Sequence, residues 1–214
     1  FPERLVSYLE NNKASKNSFL ALTGDFVRIP SIESFEKVKK FLDKFTGYMI
    51  AVGNHELSVE NNYYKVFEKD LFYYEFENFI IIAANFSNSN WLPSENQIKK
   101  INEIVNSSNR QNIILLSHQI FWYNQIDYEI NPNSFELLET DLSKSSLEWL
   151  DTKRNKNYIV ISGDYGAFGQ KTACYVERNK IFIANGIGNL EGDTLLKIYE
   201  THENIFIEEL NIEK

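Results

Sequence analysis

Four short apolar runs in this chain each stop at a polar loop, and that pattern constrains the fold more than any other feature. The runs are Ser18-Phe19-Leu20-Ala21-Leu22, Tyr48-Met49-Ile50-Ala51-Val52, Ile113-Ile114-Leu115-Leu116 and Tyr158-Ile159-Val160-Ile161. Each reads as a buried strand. The loops that end them are Thr23-Gly24-Asp25, Gly53-Asn54-His55-Glu56, Ser117-His118-Gln119 and Ser162-Gly163-Asp164.

Helical patterns alternate with these runs. Pro2 suits a first-turn position, and Leu5, Val6 and Leu9 share a face, so a helix is expected over 2–12. A second is expected over 32–45. Ser31 caps it, Phe35, Val38, Phe41, Leu42 and Phe45 form its stripe, and Gly47 ends it. Ser94-Glu95-Asn96-Gln97 is a capping box ahead of Ile98, Ile101, Ile104 and Val105, which predicts a helix over 95–106. Ser145 and Glu148 form another, opening a short helix with Leu147 and Leu150. The apolar runs 72–76 and 79–84, split by Glu77-Asn78, read as a hairpin.

The stretch 57–70, with Tyr63, Tyr64 and Phe67, reads as a short helix or an ordered loop. The long polar stretch 124–141 reads as a loop over the site or a partly mobile segment. After Gly169 the pattern is all β: 172–176, 181–184, 195–199 and 205–210. Alternating elements of this kind point to an α/β layer fold. With no repeat, low-complexity tract or linker, residues 1–214 are read as one domain.

Composition limits the function classes. The 214 residues are 43% apolar and 14% aromatic, enough for a sizeable core. A net charge of -8 argues against a general nucleic-acid binder, which would show a basic face. It leaves anionic substrates open, because a local metal can reverse the potential in one cleft. The lone Cys174 can form neither an internal disulfide nor a thiolate cage, and reads as a small buried hydrophobe in a strand. No apolar run has transmembrane length. The sequence starts at Phe1 rather than a methionine, so localisation stays open. Oligomeric state has no readable signal in the sequence.

Ligands bind beyond the carboxyl ends of strands in open α/β sheets. If the four runs are parallel neighbours, Asp25, Asn54, His55, His118 and Asp164 converge on one edge. Carboxylate, amide oxygen and imidazole together suit a divalent metal such as Mn, Fe or Zn. His202 falls in the turn between the last two strands, so only His55 and His118 are available to the cluster. A single ion held by Asp25, Asn54, His118 and Asp164 is the simplest chemistry. Glu56 reads as structural, and Trp122 and Tyr165 read as packing, with lining of the cleft as the other reading. Gly186, Gly188 and Asn189 are most simply turn residues.

Gly24-Asp25, then Gly53-Asn54-His55-Glu56, then a histidine after a buried strand resemble the calcineurin-like metallophosphoesterases. The resemblance covers most of the chain. It implies a two-sheet α/β sandwich in four layers, with a β-rich C-terminal part and a two-metal centre at the strand ends. It implies that Asp25 bridges two metals, that Asn54 and His118 bind the second, and that His55 protonates the leaving oxygen or steadies the phosphoryl group. The family opens with a strand ending in Asp-x-His, which the resemblance puts upstream of Phe1. It closes its core with Gly-His-x-His, where this chain has Gly163-Asp164-Tyr165-Gly166. Asp164 can replace the first of those histidines; Gly166 cannot replace the second.

Two functions are therefore expected from different classes. One is a phosphoester hydrolase using one or two divalent ions, in which metal-activated water attacks a phosphomonoester or phosphodiester of unknown class. The other is a member without catalysis that serves as a binding or scaffold module.

Overall fold

Ser31 accepts the backbone N–H of Ser34 and starts α2 (Ile32–Leu42). Ser94 and Gln97 exchange hydrogen bonds across the first turn of α5 (Glu95–Ser107). Both starts follow from cap residues that satisfy otherwise unpaired N–H groups. The other helices are α1 (Glu3–Asn11), α3 (Asn54–Leu57), α4 (Asn62–Phe67) and α6 (Glu148–Asp151). This computed structural model describes residues 3–12, 18–59, 61–69, 71–87, 92–122, 130, 133, 148–151, 155–166, 171–187, 193–202 and 204–212.

The strands are β1 (Phe19–Leu22), β2 (Gly47–Ile50), β3 (Leu71–Glu75), β4 (Phe79–Ala84), β5 (Asn112–Ser117), β6 (Asn157–Ser162), β7 (Ala173–Glu177), β8 (Lys180–Ala184), β9 (Thr194–Glu200) and β10 (Ile205–Asn211). They form a six-stranded sheet in the order β3-β4-β5-β6-β8-β7, a parallel pair β1-β2 and a hairpin β9-β10. In the large sheet β4, β5, β6 and β8 run parallel, and the edge strands β3 and β7 run antiparallel to their neighbours. The four chemistry-bearing strands are therefore not neighbours in one sheet. β1 pairs with β2 and β5 with β6, in separate sheets.

Three apolar clusters separate the layers. On one face of the large sheet, Ile80, Ile82, Ile113, Leu115, Val160 and Phe182 pack with Ile101 and Val105 of α5 and Trp149 and Leu150 of α6. On the other face, Ile81, Ile114, Leu116 and Ile161 meet Met49 and Ala51, with Ile198 and Ile207 of the hairpin packed alongside. Leu22, Ile50 and Val52 then pack outward against Leu5, Phe35, Val38 and Leu42 of α1 and α2, and Tyr63 and Phe67 of α4. The order is helix, sheet, sheet, helix, which is the expected four-layer sandwich with a β-rich C-terminal part.

The differences from the sequence reading are local. α2 ends at Leu42, not Phe45, and a turn leads into β2, although Phe45 stays buried. β2 stops at Ile50, because its partner β1 ends at Leu22. Residues 57–70 contain a true helix, α4. Cys174 is in a strand but exposed, since β7 is an edge strand whose outward side carries Cys174 and Val176. Ser145, Leu147, Gly188 and Asn189 lie outside the described residues, as does most of 124–141. Of that last stretch Ile130 is buried in the core beside α5, and the Asn133 N–H donates to the Asp164 carbonyl at 2.9 Å.

Candidate metal centre

The loops after β1, β5 and β6 touch at backbone distance. A Cβ on Gly24 would stand 2.5 Å from His118 Nδ1, and one on Gly163 would stand 2.1 Å from the Thr23 carbonyl oxygen. Only glycine allows that approach. Gly24 and Asp25 both turn through positive φ, at 87° and 52°. Asp tolerates this region better than most side chains, because its short carboxylate bonds locally.

His118 is the centre of the group. Its Nδ1–H donates to the Thr23 carbonyl at 2.8 Å, a partner that can only accept and so fixes the tautomer. That turns Nε2 toward Asp25 Oδ2 at 3.3 Å and Asp164 Oδ1 at 3.7 Å. The His118 and Asp164 side chains are each 1% exposed, and the Asp164 backbone N–H donates to the His118 carbonyl at 2.8 Å.

The loop after β2 meets this trio from the other side. The His55 backbone N–H donates to Asp25 Oδ1 at 3.1 Å, and the His55 ring Nε2 lies 3.9 Å from Asp25 Oδ2. The ring faces solvent, with 56% of the side chain exposed. Asn54 Oδ1 is buried and, among the described residues, accepts no hydrogen bond. Glu56 is fully buried and accepts the backbone N–H groups of Asp25, Gly53 and Val27.

Charge follows this geometry. Burial pushes the Asp25 carboxyl up, but the hydrogen bond and charge of His118 and the charge and N–H of His55 outweigh it, so it sits below its usual value. Burial pushes the His118 imidazole down. Asp25, through hydrogen bond and charge, then Asp164 and the Thr23 carbonyl, overcome this and raise it to about 9. The Glu56 carboxyl is raised, by burial first and then by the charge of Asp25.

Thus Asp25, His55, His118 and Asp164 come together, and Asn54 stands in the same loop as His55. His202 lies elsewhere, on the surface 4.0 Å from Glu77. Among the described residues, no group of three or more His, Cys, Asp or Glu side chains is spaced to hold a metal ion. Asp25, His118 and Asp164 close on one another as ion pairs instead. The donor chemistry nevertheless suits a divalent cation: two carboxylates, one imidazole and the unpartnered Asn54 oxygen.

Trp122 and Tyr165 are packing residues, both in the core cluster beside α5. Trp122 Nε1–H donates to Ser162 Oγ at 3.0 Å, and Ser162 Oγ lies 2.8 Å from Ser117 Oγ. The sequence pattern assigned no role to Gln119 or Ser87. Gln119 Nε2–H donates to Ser87 Oγ, whose hydroxyl donates to the Val52 carbonyl at 3.1 Å. These bonds tie the His118 loop to the Asn54 loop. They join residues over thirty positions apart, and no local motif signals them.

The family model for calcineurin-like phosphoesterases matches residues 2–180. The chain therefore belongs to the calcineurin-like phosphoesterase family, a hydrolase family whose members generally use divalent metals. A comparison with curated proteins gives no match. No described helix is long and apolar enough to cross a membrane.

Proposed function

We propose that this chain, acting as one domain over residues 1–214, is a metal-dependent hydrolase of phosphomonoesters or phosphodiesters. One divalent ion, Mn, Fe or Zn, would be held by Asp25, Asn54, His118 and Asp164. The observation that carries this reading is the approach of Asp25 Oδ2 and Asp164 Oδ1 to the Nε2 atom of His118, at 3.3 and 3.7 Å. The unpartnered Asn54 oxygen supports it as a fourth donor.

A divalent ion there would polarise a phosphoryl oxygen and make a nearby water more acidic. His55 has a separate task. Its ring is exposed and beside Asp25, so it can deliver a proton to the leaving oxygen from the solvent side. Thr23 fixes the His118 ring through Nδ1, which keeps Nε2 directed at the carboxylates.

A specific observation also favours the non-catalytic reading. Gly166 has φ of 95°, and a Cβ there would meet the Gly186 carbonyl oxygen at 2.8 Å. The position where the family carries its second histidine thus has no room for a side chain in this backbone. That supports a single ion over a pair, and a slower or narrower reaction or none. Metal analysis of the purified protein, with turnover of generic mono- and diesters under added Mn, separates the two. Bound metal with turnover supports the hydrolase, bound metal without turnover supports the binding module, and neither removes the metal site.

A further inference from the structure

Glu56 lies under the two loops that carry Asp25 and His55, with none of its surface exposed. Its Oε2 accepts the backbone N–H of Asp25 at 2.8 Å and of Gly53 at 2.9 Å, and Oε1 accepts that of Val27 at 3.3 Å. Asp25 reaches back the other way, its Oδ1 accepting the His55 backbone N–H at 3.1 Å. Each loop's carboxylate therefore grips the other loop's backbone. With Oδ1 occupied, Oδ2 is the oxygen left facing His118 and His55.

We infer that Glu56 is a positioning residue for the site: it holds the Asp25 backbone in its positive-φ turn and so decides where the Asp25 carboxylate points. The chemistry requires an acid. All three partners donate, and a carboxylate offers two accepting oxygens where an amide offers one and presents N–H groups to the rest. Buried backbone donors outside helices and sheets need such an acceptor. The consequence for metal binding and catalysis rests on the proposed function, but the clasp itself does not.

Amide hydrogen exchange measured by NMR on metal-stripped wild type, Glu56→Ala and Glu56→Gln separates positioning from local anchoring. The His55 N–H bonds to Asp25 and not to Glu56, and Glu56 also caps the turn that holds His55 through the Gly53 N–H, so the His55 response is read against Gly53 and Val27. Glu56→Ala should speed His55 exchange about tenfold or more, along with Asp25, Val27 and Gly53. Glu56→Gln keeps one oxygen for the Asp25 and Gly53 donors, and should restore most of the His55 protection while Val27 stays fast. Faster exchange at Gly53 with His55 unchanged would overturn the inference and leave Glu56 a local anchor. If circular dichroism shows that Glu56→Ala does not fold, Glu56→Gln decides: His55 better protected than Val27 supports the clasp, and equal loss at both overturns it. This readout needs neither metal nor turnover, so an inactive chain still answers it. In an active chain, Mn affinity and kcat should fall further in Glu56→Ala than in Glu56→Gln.

Discussion

His55 and His118 share a residue type and almost nothing else. The His118 side chain is 1% exposed and held between carboxylates, whereas 56% of the His55 side chain is open to solvent. On the proposed function, His118 is held still as a ligand and His55 exchanges a proton with what arrives. His55→Ala should therefore lower turnover about a hundredfold or more while leaving Mn binding near wild type. Calorimetric titration with Mn alongside steady-state kinetics checks both halves, and a lost Mn isotherm would mean that His55 is a ligand instead. Glu56 differs again, being buried and accepting the backbone N–H groups of Asp25, Val27 and Gly53.

At the scale of elements, α2 holds the outer layer through Phe35, Val38 and Leu42, and its start depends on Ser31. Ser31→Ala should cost about 1 kcal/mol of stability, read as a lower denaturant midpoint at unchanged slope. The caps were legible in the sequence because Ser31 and the Ser94/Gln97 pair act within one turn. The strands were legible because continuous apolar runs need two covered faces. Their grouping was not. Nothing within a run states that β1 joins β2 while β5 joins β6 in another sheet. Asp25, His118 and Asp164 stand in polar loops that end apolar runs, and the structure brings these three together; Asn54 stands in another such loop, and the ligand role of all four rests on the proposed function. The roles of Ser87 and Gln119, and the exposure of Cys174 on an edge strand, came only from tertiary contacts.

At the scale of the whole molecule, the large sheet faces the β1-β2 pair, and the loops at one end of both bring His118 between two carboxylates. This makes the stability of metal-stripped protein depend on pH from both sides. Burial lowers the His118 imidazole, but Asp25, Asp164 and the Thr23 carbonyl raise it from 6.5 to about 9. Its contribution is therefore complete below pH 6.5 and lost as pH rises through about 9. The Asp25 carboxyl, held below 3.8 by His118 and His55 against its burial, contributes above that value and loses its contribution as pH falls through its lowered one. Thermal melts after chelation should show the melting temperature dropping by several degrees from neutral to alkaline pH. In His118→Ala that alkaline limb should flatten. An unchanged limb in the variant would mean that another group causes it.

The most direct measurement is a Mn titration of phosphodiester turnover by chelator-stripped protein. The proposed site predicts a rate that rises from background, saturates with Mn and returns to background on re-chelation, and that needs far more Mn in Asp164→Ala. Turnover that never responds to Mn, with no metal bound, would contradict a metal centre built from Asp25, Asn54, His118 and Asp164.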